Sequence, residues 1–205
     1  AVHPDNPTAF TRQRKLPLPA LVALMLSGMR KSIQSELDEF FAHLNNQAQL
    51  ARKVSEQAFA QARAKLSLTA IPLLNDWLIE RAEHYGFVPR WNALRLVAAD
   101  ASAVRFGLRA ALADQILFGL FLPGCELMLA ASLHSVHDSE RQMLFEHLDR
   151  LSGSYLLLLD RGYPARWLVA ALNQRGIPFC MRVEKTGNSS FACVRDFLRS
   201  GLAEQ

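Results

Sequence analysis

The sequence predicts an α/β protein: a mixed sheet with flanking helices, preceded by a helical domain. Two observations lead there. From Pro17 to Gly86, apolar residues recur at helical spacing. After Trp91 the pattern switches to short apolar runs, which read in order as three strands, a helix, a strand, a helix and a strand. The 205 residues suffice for one good core, or for a domain with a smaller appendage. Half the residues are apolar and a fifth are charged, the balance of an ordinary globular chain.

Residues 1–15 (AVHPDNPTAFTRQRK) read as a flexible arm carrying the basic cluster Arg12, Arg14 and Lys15. Residues 16–90 form the helical region. PLPALVALMLSGMRK opens on Pro17 and Pro19 and closes on basic residues, as the helix dipole favours. Ile33, Leu37, Phe40, Phe41 and Leu44 mark a second helix. Ser55 is a good N-cap for a third, with Phe59 and Leu66 to one side and Arg63 and Lys65 nearby. A fourth starts on Thr69, stops at Gly86 and is expected to bury Ile71, Leu74, Trp77, Leu78 and Tyr85.

Residues 91–205 carry the sheet. ALRLVAAD is a strand ending on Asp100, ASAVRFGL its expected partner and CELMLAASLHSV a third strand. DSERQMLFEHLDRL is an amphipathic helix with Met143, Leu144, Leu148 and Leu151 inward. SYLLLLD is a buried strand ending on Asp160, PARWLVAALNQRG a helix and IPFCMRV a further strand. The tail GNSSFACVRDFLRSGLAEQ completes no further clear unit.

Several function classes lose their support. Leu18 to Leu26 is too short to span a bilayer, which takes roughly 20 residues, so no membrane partner is expected. No signal peptide is visible, and Cys125, Cys180 and Cys193 read as free thiols in a reducing cytoplasm. Neither GxGxxG nor GxxxxGK[ST] occurs. Ser102 and Ser154 lack a nucleophile-elbow context. The run HSVHDSE holds His134, His137, Asp138 and Glu140, but no matched pair completes a zinc site. It reads better as Asp138 capping a helix and Glu140 favouring its N-terminus. Trp77, Trp91 and Trp167 have apolar neighbours and read as core. Net charge is +4, compatible with nucleic acid without demanding it.

The two strand-ending carboxylates, Asp100 and Asp160, are the sharpest feature. Ligands of open α/β sheets sit outside the carboxyl ends of the strands. If the two strands are parallel neighbours, both side chains emerge at one edge. Two carboxylates that close repel, and are stable only if protonated or bridged by a cation. Hard oxygen ligands with open water positions suit Mg2+ or Mn2+, the ions of in-line phosphoryl transfer. The competing reading is that each Asp only makes an Asx-turn.

The block LLLLDRGYPARWLVAALNQRGIPFCMRV resembles the second catalytic block of bacterial transposases of the DDE type, more narrowly of insertion sequence family four. There an apolar strand ends in Asp-Arg-Gly-Tyr, here Asp160, Arg161, Gly162 and Tyr163, and a helix and a strand ending in Arg, here Arg182, follow. LRLVAADAS, with Asp100 and Ser102, resembles the first catalytic block. FLPGCELMLAASLHSVHDSERQMLFEHL resembles the family's middle, and KVSEQAFAQARAKLS its N-terminal DNA-binding helices.

The resemblance implies an RNase H-like core and a DNA transposase: metal-dependent strand cleavage at transposon ends and strand transfer by a 3′-hydroxyl. It implies Asp100 and Asp160 as catalytic, metal-binding acids, Mg2+ (or Mn2+) as cofactor, and double-stranded DNA as partner. It also implies a homo-oligomer in the bacterial cytoplasm, associated with the nucleoid. Arg161, Tyr163 and Arg182 are then DNA contacts at the metal edge; Arg63 and Lys65, with Arg52 and Lys53, are contacts in the helical region. The family's third acid is a Glu on a later helix. Among the remaining acids, Glu184, Asp196 and Glu204, none sits where that Glu belongs. The expectation is therefore an incomplete catalytic core over 91–205, truncated before its third acid and inactive as this fragment. The alternative is a non-catalytic DNA-binding or oligomerising protein that acts as an inhibitor.

Overall fold

A computed structural model describes residues 7–11, 15–46, 52–105, 114–184 and 191–201. The chain divides into two compact units, Ala1–Leu74 and Asn75–Gln205. The division falls inside the fourth helix, ahead of residue 90, where the helical pattern stops in the sequence.

The first unit is helical. Helix α1 (Leu18–Leu26) begins directly after Pro17, and Ser27 closes it by donating its hydroxyl to the Leu24 carbonyl. In α2 (Ile33–Leu44) the Ser32 hydroxyl accepts from the Ser35 amide, and in α3 (Glu56–Arg63) Ser55 accepts from Ala58 in the same way. Leu21, Leu24, Leu37 and Phe59 are fully buried where the three helices meet, with Leu16, Ala20, Phe41 and Val54 around them. Burial of each such leucine contributes about 1.5 to 3 kcal/mol. Ile33 and Leu44 face outward.

Helix α4 (Ala70–His84) runs through the division. It ends where Gly86 takes φ +71°, with the Phe87 amide bonded to the Ala82 carbonyl and the Gly86 amide to Glu83. The inward residues of α4 are Ile79 and Ala82. Ile71, Trp77, Leu78 and Tyr85, expected in the core, are exposed. Trp77 instead lies under the Arg81 guanidinium, 5.4 Å from its ring centre. Trp91 and Trp167 are also exposed, so none of the three tryptophans is core.

The second unit is a mixed sheet with flanking helices. Its strands are β1 (Arg90–Trp91), β2 (Leu94–Val104), β3 (Gln115–Leu122), β4 (Leu127–Ser135), β5 (Tyr155–Leu159) and β6 (Phe179–Met181). The order is β4-β3-β2-β5-β6, with β1 paired to β2 outside that path. Strands β2, β3 and β4 form an antiparallel meander; β5 joins β2 in parallel and β6 joins β5 in parallel. A three-strand meander extended on its first strand by two parallel strands is the RNase H-like arrangement. Helices α5 (Glu140–Glu146) and α6 (Arg166–Gln174) connect β4 to β5 and β5 to β6; α7 (Ala192–Ser200) follows.

The core lies under the central strands. Val97, Phe118, Leu120, Leu144, Leu148, Leu157, Leu168 and Leu172 are fully buried. The inward set expected of the helix after β4, Met143, Leu144, Leu148 and Leu151, is buried as read.

Three sequence expectations are corrected here. Strand β2 does not stop at Asp100; it continues to Val104, because residues 98–104 pair with β3. Its antiparallel partner is QILFGLFL at 115–122 rather than ASAVRFGL, whose first four residues belong to β2. The tail does form an element, α7. Among the described residues no helix is long and apolar enough to cross a membrane.

Candidate metal centre

The parallel ladder between β2 and β5 sets the site. Its register is Arg95↔Tyr155, Leu96↔Leu156, Val97↔Leu157 and Ala98↔Leu158. Carried two residues further, the same register sets Asp160 beside Asp100, on backbones about 5 Å apart. Along β2 the buried residues are Val97 and Ala99, so Asp100 falls on the exposed positions. Asp160 is the first residue past β5 and is also exposed. The Asp100 backbone lies in the β2–β3 ladder opposite Gly119, and its side chain makes no hydrogen bond or ion pair among the described residues.

Asp160 makes the local turn that its position suggested. Its Oδ1 accepts from the Gly162 amide at 2.7 Å, and the Tyr163 amide bonds to its carbonyl at 3.3 Å. The turn uses one carboxylate oxygen and leaves Oδ2 without a hydrogen bond among the described residues. Turn formation and ligation are therefore compatible in one side chain.

A third carboxylate stands at this edge. Glu140, the first residue of α5, has its pKa raised by partial burial first, then by the charges of Asp160 and Asp100, against a smaller opposite effect of Arg141. A Cβ placed on Gly162 would lie 3.1 Å from Asp160 Oδ1 and 3.5 Å from Glu140 Oε2. Sequence reading took Glu140 only as a favourable helix start. The signal was not in the local pattern, since only the packing of α5 against the sheet brings it here. The true cap position is Ser139; Asp138 does not cap but accepts the Ser135 amide at 2.9 Å.

Tyr163 lies beneath the edge. It is 1% exposed, and its hydroxyl has no hydrogen-bond partner among the described residues. Its pKa is raised by burial first, then by Glu140, Asp100 and Asp160 in turn. A side chain so buried cannot be the DNA contact expected of it. Arg161 and Arg182 are exposed, and neither pairs with an acid among the described residues. The Arg182 amide bonds to the Leu159 carbonyl at 2.9 Å, which extends the β5–β6 ladder and sets Arg182 next to Asp160 in space.

The other candidates are dispersed. Glu184 lies two residues past Arg182 and is exposed; Asp196 is on α7, 3.7 Å from Arg199; Glu204 and the arm residues Arg12 and Arg14 lie outside the described residues. His134 Nε2 and His147 Nε2 both meet the Ser132 hydroxyl, at 2.6 and 2.7 Å. Ser154 accepts from Arg95 Nη2 at 2.8 Å. In the helical unit, Arg63 is exposed, its guanidinium 5.9 Å from the Phe59 ring centre. Lys65 lines a cavity of about 300 Å³ with Lys15 and Lys53, and among the described residues no acidic one lines it.

Asp100 and Asp160 are hard oxygen donors, the ligand type that suits a divalent cation such as Mg2+. Mg2+ typically takes one or two carboxylates and completes its shell with water and substrate phosphate, so it needs no closed protein cage. Among the described residues Asp100 and Asp160 form no ion pair, the buried Tyr163 hydroxyl has no hydrogen-bond partner, and Gly162 leaves the space between Asp160 and Glu140 open. Among the described residues no group of three His, Cys, Asp or Glu side chains is gathered so that it could hold a metal ion.

No family model matches the chain, and no curated protein matches it significantly. Solved structures with some similarity include the Mos1 mariner paired end complex with Mn, at 11% identity, covering 94% of this chain and 72% of that one, with a TM-score of 0.33. The Mos1 transposase paired-end complex with left transposon end is 11% identical over 95% and 73% of the two chains, TM-score 0.30. A pre-cleavage Mos1 transpososome is 10% identical over 92% and 66%, TM-score 0.29.

Proposed function

We propose that this chain is a divalent-metal-dependent DNA-processing enzyme of the transposase type, with Asp100 and Asp160 holding Mg2+ or Mn2+. One observation carries the reading: the constant parallel register of β2 and β5 sets these two acids side by side at the edge of the sheet. The resemblance of LRLVAADAS and LLLLDRGYP to the two catalytic blocks of insertion sequence family four assigns the same pair. The substrate would be double-stranded DNA, engaged in the bacterial cytoplasm at the nucleoid.

The chain's own residues would act as follows. Asp100 and Asp160 would supply the hard oxygen ligands that hold the cation. Arg161 and Arg182, exposed and without an acid partner among the described residues, would donate to the flanking phosphates. Lys15, Lys53, Lys65 and Arg63 offer a second set of cations on the helical unit, worth most at low salt. A bound divalent cation would supply Lewis acidity at the phosphoryl group.

The test is nicking of duplex DNA by the full chain in Mn2+ or Mg2+. Cleavage that requires metal and is lost in Asp100→Asn and Asp160→Asn is the expected result; cleavage that survives Asp160→Ala refutes the assignment. A second reading, a non-catalytic DNA-binding protein that acts as an inhibitor, draws support from the lack of a preassembled three-acid metal group among the described residues. It predicts DNA binding that falls steeply with salt, and no metal-dependent cleavage.

A further inference from the structure

We infer that the cavity in the helical unit is a binding site for one small organic anion, a phosphate monoester with a compact apolar body. The cavity lies wholly within the first unit, between the turn at residues 7–10, the segment ahead of α1 and helix α3. The inference is independent of the metal assignment at Asp100 and Asp160.

Three lysines reach this cavity from three separate stretches of chain: Lys15 ahead of α1, Lys53 ahead of α3 and Lys65 just after α3. Among the described residues none of the three makes a hydrogen bond or ion pair. Lys53 and Lys65 are half-buried, so part of their hydration is already lost. The described acids of this unit do not answer them. Glu36 accepts the Arg30 and Lys31 amides, Glu39 holds Lys31 Nζ, Asp38 accepts from Gln34 Nε2, and Glu56 is not in the cavity wall. Positive charges gathered around one space repel, and an anion among them reverses the sign of that interaction.

The second observation is the apolar part of the wall. Leu16 and Val54 belong to the buried core of this unit, and Phe10 packs against that core. Phe10 holds φ +63°, a left-handed conformation that is rare for a bulky residue and that tends to mark binding sites. The Thr11 hydroxyl donates to the Thr8 carbonyl at 2.8 Å across the turn that carries Phe10. The volume, about 300 Å³, is at the small end of the range for small-molecule pockets, roughly 300 to 1,000 Å³. An apolar wall with a few polar groups is the usual composition of such pockets. A backbone phosphate of duplex DNA would meet the lysines but brings no apolar body to fill the space between them. A phosphate monoester brings both, with about 1.5 to 2 negative charges at neutral pH, and lysine serves phosphate as a point charge.

The test is calorimetry of phenyl phosphate with the full chain. It should bind at one saturable site, roughly tenfold or more tighter than inorganic phosphate, phenol or benzoate. Lys53→Met and Lys65→Met, which keep the apolar stem and remove the charge, should each weaken binding several-fold. Ala58 also lines the cavity, and Ala58→Leu, which narrows it at constant charge, should remove binding while the melting curve stays near wild type. Arg166→Gln, at an exposed cation of the sheet unit, should change nothing. Absence of phenyl phosphate binding overturns the inference. Inorganic phosphate binding as tightly as phenyl phosphate, or undiminished binding in Ala58→Leu, shows a bare anion surface and overturns it too. Benzoate matching phenyl phosphate overturns the phosphate class, and an equal loss in Arg166→Gln shows a bulk charge effect and overturns the site. If Ala58→Leu does not fold, the ligand series and the lysine variants decide. A short DNA duplex is titrated alongside, and Ala58→Leu should keep whatever duplex binding the wild type has. Equal loss of both ligands puts DNA in the cavity and overturns the inference, whereas a wild-type chain that binds no duplex counts against the function proposed above and leaves the ligand series to decide this one.

Discussion

At the scale of single residues, Gly162 is the most informative position. It donates its amide to Asp160 and leaves room between Asp160 and Glu140. Gly162→Ala puts a methyl 3.1 Å from Asp160 Oδ1, tighter than ordinary van der Waals contact, so the carboxylate must shift by a few tenths of an ångström. The expected outcome is a several-fold loss of Mn2+ affinity with a stability change under about 1 kcal/mol, read by calorimetry and by urea denaturation. His147 offers a separate test. Its pKa is lowered by burial first, then by His134, with Arg150 adding and Glu146 opposing. The unfolded chain therefore binds this proton more readily than the folded one. Stability should rise with pH through the window from the lowered folded value up to the ordinary 6.5, then level off with respect to this group. Urea midpoints measured between about pH 5 and 7 should show that rise, and His147→Gln should flatten it.

At the scale of elements, the pairing of β2 with β5 carries both site and stability. Its far end is closed by Arg95, which pairs with Glu83 on α4, donates to the Tyr155 hydroxyl at 3.0 Å and to Ser154 Oγ at 2.8 Å, and lies 4.3 Å from the Tyr155 ring centre. The Arg95 side chain is only 14% exposed. Arg95→Met strands Glu83 and Tyr155 together and should cost about 2 to 3 kcal/mol, below the range for a fully buried pair because Glu83 keeps some contact with water. Urea denaturation measures it, and adding Glu83→Gln should restore part of the loss. Leu157, fully buried in β5 beside Val97, should cost about 3 kcal/mol as Leu157→Ala. If slippage of this strand pair follows, Mn2+ affinity falls as well, since the register is what aligns the two aspartates.

At the scale of the whole molecule, the proposed cation site would link metal binding to folding. A cation that binds only the folded sheet unit stabilises it by about 2.7 kcal/mol at a hundredfold excess over its dissociation constant. Mn2+ should raise the melting transition of the wild-type chain, EDTA should reverse the rise, and Asp100→Asn should abolish it. A rise that persists in Asp100→Asn points to cations bound elsewhere.

Local patterns in the chain were enough to show the helical first half, the inward stripe of the helix at 140–151, and Asp100 and Asp160 as acids that buried apolar runs lead into. Each depends on periodicity or on a change of polarity within a few residues, and such signals survive without knowledge of neighbours. Other features depend on contacts between distant segments. The extension of β2 beyond Asp100 is written in its pairing with 115–122, not in its own polarity. Tyr163 follows two polar residues and reads as surface, yet the space between α5 and the sheet takes it in. Glu140 reads as a helix start because its nearness to Asp160 exists only once α5 has packed. The 60-residue offset between the two aspartates could be counted in the sequence. That it means side-by-side placement was settled by parallel pairing, a long-range choice that hydrogen bonding and core burial make together.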